Sequence, residues 1–361
     1  MPRNSSIDLF RGIAVIVITF HHIYHSGFFG KPSFVILQNF DLFALFSRGR
    51  WGVDLFFVIS GYCMAMTYSQ KNTLTNFYLK RFFRIYPAYL ICLAFFGFTE
   101  IQNEIYPSTF YNSRGLDFIL HILNIHTLYS KTFFSTNDVF WSLAIEIHFY
   151  IIFPFLYRYY KSNKFNLIKI LIITTLFSIL INIESEFSNF SMTTKLLLTH
   201  NLITFLPVFI FGIFLYEQEL IKDFFKHRLK VILLIILTIF FLFYKDSAVG
   251  YSKLFNLGRL DHVITGCIMG LWMKLLLDKQ DESIIILRPI SLIGVASYSI
   301  YLYNFIFWFY MKSYCNYFNN LCHGYLFFSW VINFIIVISF GILMYYLIEK
   351  PILLWRSKLI N

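Results

Sequence analysis

Ten predominantly apolar stretches of 14 to 24 residues recur between residues 7 and 348 of this 361-residue chain. That rhythm leaves few ways to fold. About 20 apolar residues in a helix span the hydrocarbon core of a bilayer, and lipid offers backbone polar groups no partner except each other. The stretches lie at 7–27, 51–69, 84–102, 139–157, 165–183, 202–217, 231–244, 255–277, 290–311 and 325–348. Composition agrees, with only 14% charged residues against about 25% in soluble domains. The expected fold is an all-α integral membrane protein of about ten transmembrane helices. It forms one domain over residues 1–361, with no appended soluble domain and no cleavable signal peptide, because the first run is long and carries Asp8 and Arg11.

Charge sets the orientation. The run 116–129 is short and holds Asp117, His121, Asn124 and His126. If it does not cross, the loops alternate with 18 Lys and Arg inside and 10 outside, as the positive-inside rule requires. If it crossed, the basic loops 158–164 and 222–230 would face outward. The run is therefore expected to be a short re-entrant or interfacial segment on the outer side, with both termini cytoplasmic. The same rule absorbs the formal charge of +11, which in a soluble protein would point to nucleic acid; no nucleic-acid partner is expected. The five cysteines form no CxxC pair and no zinc spacing, so no metal is expected. Cys63, Cys92 and Cys267 read as small buried hydrophobes, whereas Cys315 and Cys322 share a polar outer loop and could be bridged.

Ionisable groups inside spans are costly and ask for a reason. In the first span Asp8, Arg11, His22 and His25 fall on one face, with Arg11 and His22 about 16 Å apart along the axis. This stripe has the form of a wall of a water-accessible path. The plainer alternative is an interfacial Asp8–Arg11 pair with anchoring histidines. The second span places Asp54 near its outer end and Ser60-Gly61 in its middle. Close helix packing explains Ser60 and Gly61, and a serine nucleophile lacks its Gly-x-Ser-x-Gly elbow. Arg81 and Arg84, with Lys80 adjacent, share a face at the inner end of the third span and would make a fork for phosphate groups. Glu146 sits about 10 Å inside the outer boundary, at a depth close to that of His22. His148 faces away from it, and Pro154 would kink the helix.

Together these blocks resemble the membrane-bound acyltransferase family 3. The resemblance runs in order through Ile7-Asp8-Leu9-Phe10-Arg11 with His22, GVDLFFVISGY at 52–62, Arg81 and Arg84, WSLAIEIHFYIIFP at 141–154, FLPVFIFGIFLY at 205–216, SYSIYLYNF at 297–305, and Glu349-Lys350-Pro351. It implies a multi-pass enzyme of the bacterial cytoplasmic (inner) membrane. Such an enzyme moves an acyl group, usually acetyl, from acetyl-CoA or another acyl-CoA cosubstrate to a hydroxyl of a cell-surface saccharide. His22 matches the family's essential histidine, Arg11 its partner, and Arg81 and Arg84 the arginines proposed to hold acyl-CoA. Asn304 stands where the family often has a histidine.

On this basis His22 would be the general base, with Glu146 or Asp54 orienting its imidazolium. Arg11, Arg81, Arg84 and Lys80 would bind acyl-CoA. His25, Ser60, Trp141, Arg259 and Asp261, with His262 nearby, are candidates for binding the acceptor. That acceptor would be a saccharide or lipid-linked saccharide such as lipopolysaccharide, capsule or exopolysaccharide. The alternative is a proton-coupled transporter or flippase using the same stripe as a relay, disfavoured because inverted repeats are absent. A membrane scaffold would tolerate apolar substitution along the stripe. Nothing in the sequence sets an oligomeric state.

Overall fold

The computed structural model describes residues 5–26, 35–36, 40–41, 46, 49–68, 73–98, 114–217, 228–244, 261–278, 287–304 and 326–360. Hydropathy and the structure agree on most helices. They are α1 (Ser5–Ser26), α2 (Trp51–Tyr68), α3 (Leu74–Phe98), α4 (Arg114–Ile122), α5 (Phe140–Ser162), α6 (Lys164–Phe187), α7 (Met192–Thr199), α8 (Leu202–Glu217), α9 (Arg228–Tyr244), α10 (Asp261–Asp278), α11 (Arg288–Val295), α12 (Leu326–Met344) and α13 (Lys350–Ile360). Residues 297–304 are also helical, and a π-helical turn, Tyr345–Glu349, joins α12 to α13. The strand structure among the described residues is a two-rung antiparallel ladder, Val35–Ile36 with Phe40–Asp41. The outer ends of two expected spans, 255–260 and 305–311, lie outside the described residues, as do Arg259, Cys315 and Cys322.

Five helical segments among the described residues are long and apolar enough to cross a bilayer: Ser5–His25, Phe140–Ser162, Phe165–Ser185, Thr194–Glu217 and Ser329–Leu359. The protein is an integral membrane protein. α4 has nine residues, about 14 Å at helical rise, which is less than half the hydrocarbon thickness. It is followed by a 3₁₀ turn, His126–Leu128, and a folded loop leading into α5. α3 begins ten residues before the expected 84–102, which places Arg81 and Arg84 inside a helix. α5 continues in helical form through Pro154.

Short polar side chains punctuate the chain. Asn163 ends α5 in an extended conformation and caps α6, accepting from the Phe165 amide at 2.9 Å. Asn201 caps α8 by accepting from the amides of Ile203 and Thr204. Each cap satisfies amides that a helix start leaves open. Much of the apolar exterior is carried by α6 and α9, where Ile172, Leu176, Leu180, Leu229 and Ile236 are exposed, as a lipid-facing surface demands. Inside, α2 packs against α8, and α1 against α11. Both crossings depend on glycine. A Cβ on Gly61 would strike the Phe209 carbonyl and one on Gly212 the Val58 carbonyl, while Gly12 and Gly294 stand against backbone of the facing helix in the same manner. Small residues let helices approach this closely in membranes.

Candidate active site

α1, α2, α3, α5 and the 297–304 helix line a partly open cavity, with about 710 Å³ of space between atoms when its open mouth is included. Its wall carries three guanidinium groups, Arg11, Arg81 and Arg84, then Ser60, Glu146 and Tyr150, and then Ser142 and Tyr301. Of the sequence stripe, Arg11 lines this space, and five of the expected site residues, Arg11, Ser60, Arg81, Arg84 and Glu146, share it.

α1 places Arg11 3.4 Å from Asp8, its i,i+3 neighbour, and 3.6 Å from Cys63 Sγ. α3 holds Arg81 with its Nη2 donating to Thr67 Oγ1 at 2.9 Å. One turn on, Arg84 donates to Glu349, whose other oxygen accepts from Ser299 at 2.7 Å. Lys80 is half-buried beside them, and its carbonyl accepts from Arg356 at 3.5 Å. The two arginines do not form a matched fork, since one is already taken by a carboxylate.

The middle of the cavity is a hydroxyl–carboxylate cluster. Glu146 Oε1 accepts from Ser60 Oγ at 2.8 Å and from Tyr150 OH at 2.5 Å. Ser60 is therefore a bonded wall residue as well as part of the α2 crossing. Higher up, Ser142 and Tyr301 hydroxyls lie 2.6 Å apart. Tyr298, Tyr301 and Asn304 succeed one another at three-residue spacing, so one face of the 297–304 helix runs from the cavity toward α1. At its far end Asn304 Nδ2 donates to Thr19 Oγ1 at 3.0 Å. His22 itself is not among the residues lining the cavity; it stands one turn beyond Thr19. His25 is exposed, and its ring meets that of His21 at 4.5 Å.

Equal depth suggested that Glu146 or Asp54 would orient His22. The hydrogen bonds of both run elsewhere. Asp54 Oδ1 accepts from His262 Nδ1 at 2.7 Å and Oδ2 from Thr265 at 2.6 Å. His262 packs on Phe205 at 4.6 Å, and Trp141 on His200 at 5.0 Å. Asp54, Trp141 and His262 are thereby gathered at one end of the bundle. Asp261 opens α10, and Arg259 is outside the described residues.

Sequence reasoning passed over three features. Glu349 was visible only as part of a terminal block, although its carboxylate completes the cavity's cationic wall. Tyr150, Tyr298 and Tyr301 were hidden among 25 tyrosines. The third is how Asp117, His121 and His126, visible as residues in the sequence, come together in a buried cluster. His121 and His126 stack at 4.0 Å with 7° between planes, and Ser135 donates to Asp117 at 2.7 Å. Burial, then the neighbouring His121 and His148, hold the His126 imidazole far below its ordinary value.

A family described as an acyltransferase domain, acyltransferase family 3, matches residues 4–350. Peptidoglycan O-acetyltransferase OatA of Listeria monocytogenes is 32% identical over 186 residues, 46% of this chain and 26% of that protein. An uncharacterized protein of Haemophilus influenzae is 32% identical over 147 residues, 37% of this chain and 60% of that protein. Acyltransferase MdmB of Streptomyces mycarofaciens is 26% identical over 159 residues, 43% of this chain and 40% of that protein. The matched part therefore spans between 26% and 60% of these relatives' lengths. No solved structure matches the chain.

Proposed function

This chain belongs to acyltransferase family 3, and from that premise we propose that it is a membrane O-acetyltransferase of a bacterial cytoplasmic membrane, organised as one multi-pass domain with both termini inside. The donor is acetyl-CoA or another acyl-CoA. The acceptor is a hydroxyl of an extracytoplasmic or lipid-linked saccharide such as lipopolysaccharide, capsule or exopolysaccharide. The observation that carries this reading is the cavity: cations at one end, a hydroxyl-lined middle, and a helix that carries Tyr298 and Tyr301 into its wall and whose Asn304 bonds Thr19, one turn before His22 on α1.

A thioester on a flexible arm suits that layout. Phosphates meet the cationic end of the cavity, where guanidinium attracts anions and holds them by charge-assisted bonds. The arm lies along Ser60, Tyr150, Ser142 and Tyr301, and its acyl end reaches the His22 level. The acceptor hydroxyl arrives from the opposite side. His22 takes the hydroxyl proton as the oxygen attacks the thioester carbonyl. The new C–O bond forms, the C–S bond breaks, and the proton passes from the imidazolium to the departing thiolate. His22 stands on α1 one turn beyond Thr19, which Asn304 bonds, and its acid–base work contributes typically 10²–10⁴-fold to rate. Asp54, His262, Trp141 and His200 lie at the acceptor's end of the bundle.

The test is to incubate purified protein in nanodiscs with acetyl-CoA and a surface-glycan or lipid-linked oligosaccharide fraction, following thiol release and glycan mass. Wild type should add one acetyl group per site and release an equal amount of thiol, and His22→Ala should do neither while inserting normally. Full acetylation by a well-expressed His22→Ala protein removes His22 from the reaction. Absence of both thiol release and acetyl-CoA binding in wild type favours the transporter reading of the same polar path.

A further inference from the structure

The paired arginines look interchangeable in sequence, and the structure holds them in opposite ways. Arg84 donates to Glu349, 265 positions away in the chain. Glu349 is 2% exposed, and its second oxygen accepts from Ser299 at 2.7 Å. The Tyr298 ring lies 5.9 Å from the Arg84 guanidinium, and the Tyr298 hydroxyl donates to the Ile85 carbonyl at 2.8 Å. These contacts tie α3, the 297–304 helix and the π-helical turn into one clamp. The turn is itself an irregularity of the kind that accumulates at functional sites. A guanidinium in such a clamp has little charge to offer a ligand, since drawing it away would strand a buried carboxylate.

Arg81 has no such partner. Its Nη2 donates to a neutral hydroxyl, Thr67, and its guanidinium lies 5.7 Å from the Phe77 ring and 5.6 Å from the Tyr150 ring. Its Nε is buried without a hydrogen-bond partner among the described residues. Arg11, the third cavity arginine, has Asp8 at 3.4 Å. Arg81 is thus the cavity cation whose charge no carboxylate offsets among the described residues, and it carries an unused donor.

We propose that Arg81 alone supplies the anion contact of this cavity, to a phosphate group of the coenzyme A donor, and that Glu349 is a positioning residue that reserves Arg84 for the clamp. The proposal rests on the acyl-CoA reading above and divides a task that the sequence assigns to both arginines.

Full-length protein in nanodiscs is titrated calorimetrically with coenzyme A and with pantetheine, which lacks every phosphate, and thermal unfolding is recorded for each variant. Wild type should prefer coenzyme A. Arg81→Gln should lose about 10- to 100-fold in coenzyme A affinity, the range for a hydrogen bond to a charged group, and bind pantetheine as before. Arg81→Lys should recover most of the loss, because phosphate accepts a point charge. Glu349→Gln should lower the unfolding temperature and leave the coenzyme A to pantetheine ratio no lower than in wild type, since it releases the Arg84 charge and leaves Arg81 in place; Ser299→Ala, which loosens the same clamp less, should keep the ratio. A ratio unchanged in Arg81→Gln, or one that collapses in Glu349→Gln and Ser299→Ala, overturns the division. Wild-type protein that binds neither compound overturns the donor reading itself, and wild type that binds both equally overturns only the phosphate contact.

Discussion

Asp54 is 1% exposed, and both of its oxygens are engaged, Oδ1 by His262 and Oδ2 by Thr265. A carboxylate in that position has its surroundings built for it. Removing it leaves an imidazole N–H and a hydroxyl without an acceptor, and each such group costs about 1–3 kcal/mol. Asp54→Ala and His262→Ala should each lower the heat stability of the solubilised protein, and the double variant should lose less than the sum. The expected coupling is about 0.5–3 kcal/mol. Strictly additive losses would mean that the pair ties nothing together. At this scale the sequence was informative about which residues matter and poor at saying whom they meet. Hydropathy and helical periodicity place Asp54, Glu146, Arg84 and His22 at depths and on faces. They carry no information on which face of a distant helix lies opposite, and the partners of Asp54 and Arg84 are 208 and 265 positions away.

Elements were more legible, because a span is a property of consecutive residues. α1, α2, α6 and α8 begin and end within a few residues of the apolar runs that announced them. α3 and the terminal α12–α13 segment ran longer, since charged and aromatic residues such as those of KRFFRIYPAY form helix as readily as apolar ones once one side packs. Ser60-Gly61 read as a packing signal, and the structure supplies the partner, Gly212 on α8. The Cβ positions of both glycines fall on carbonyl oxygens of the facing helix, and backbone cannot rotate aside as a side chain can. Gly61→Ala and Gly212→Ala should each destabilise by more than the roughly 1 kcal/mol that alanine contributes to a helix. Gly115→Ala is the contrast, because among the described residues nothing lies within 4 Å of its Cβ position at the start of α4; it should be neutral or stabilising. Thermal unfolding of the three proteins in one detergent checks the order. A Gly212→Ala protein as stable as wild type would show that α2 and α8 can part without loss.

On the scale of the whole molecule, α5 is the ruler. Its C-terminal half lies with the cationic end of the cavity, where the Tyr68 and Tyr157 rings are 4.7 Å apart and Tyr78 donates to the Ile151 carbonyl. Its N-terminal end carries Trp141 and Ser142, on the side of Tyr301, His200 and His262. The direction of acyl transfer therefore depends on which way α5 points. In the proposed topology, with 18 basic residues inside against 10 outside, its C-terminal end would point inward, toward the compartment that would supply the proposed coenzyme A donor. With Cys315 and Cys322 replaced by serine, a membrane-impermeant maleimide should label Lys131→Cys in intact cells and Ser162→Cys only after permeabilisation. Labelling of both from one side would mean that α5 does not cross. The reverse pattern would turn the arginines outward, away from any cytoplasmic donor, and the proposed reaction would lose its supply of acyl groups however well the cavity fits them.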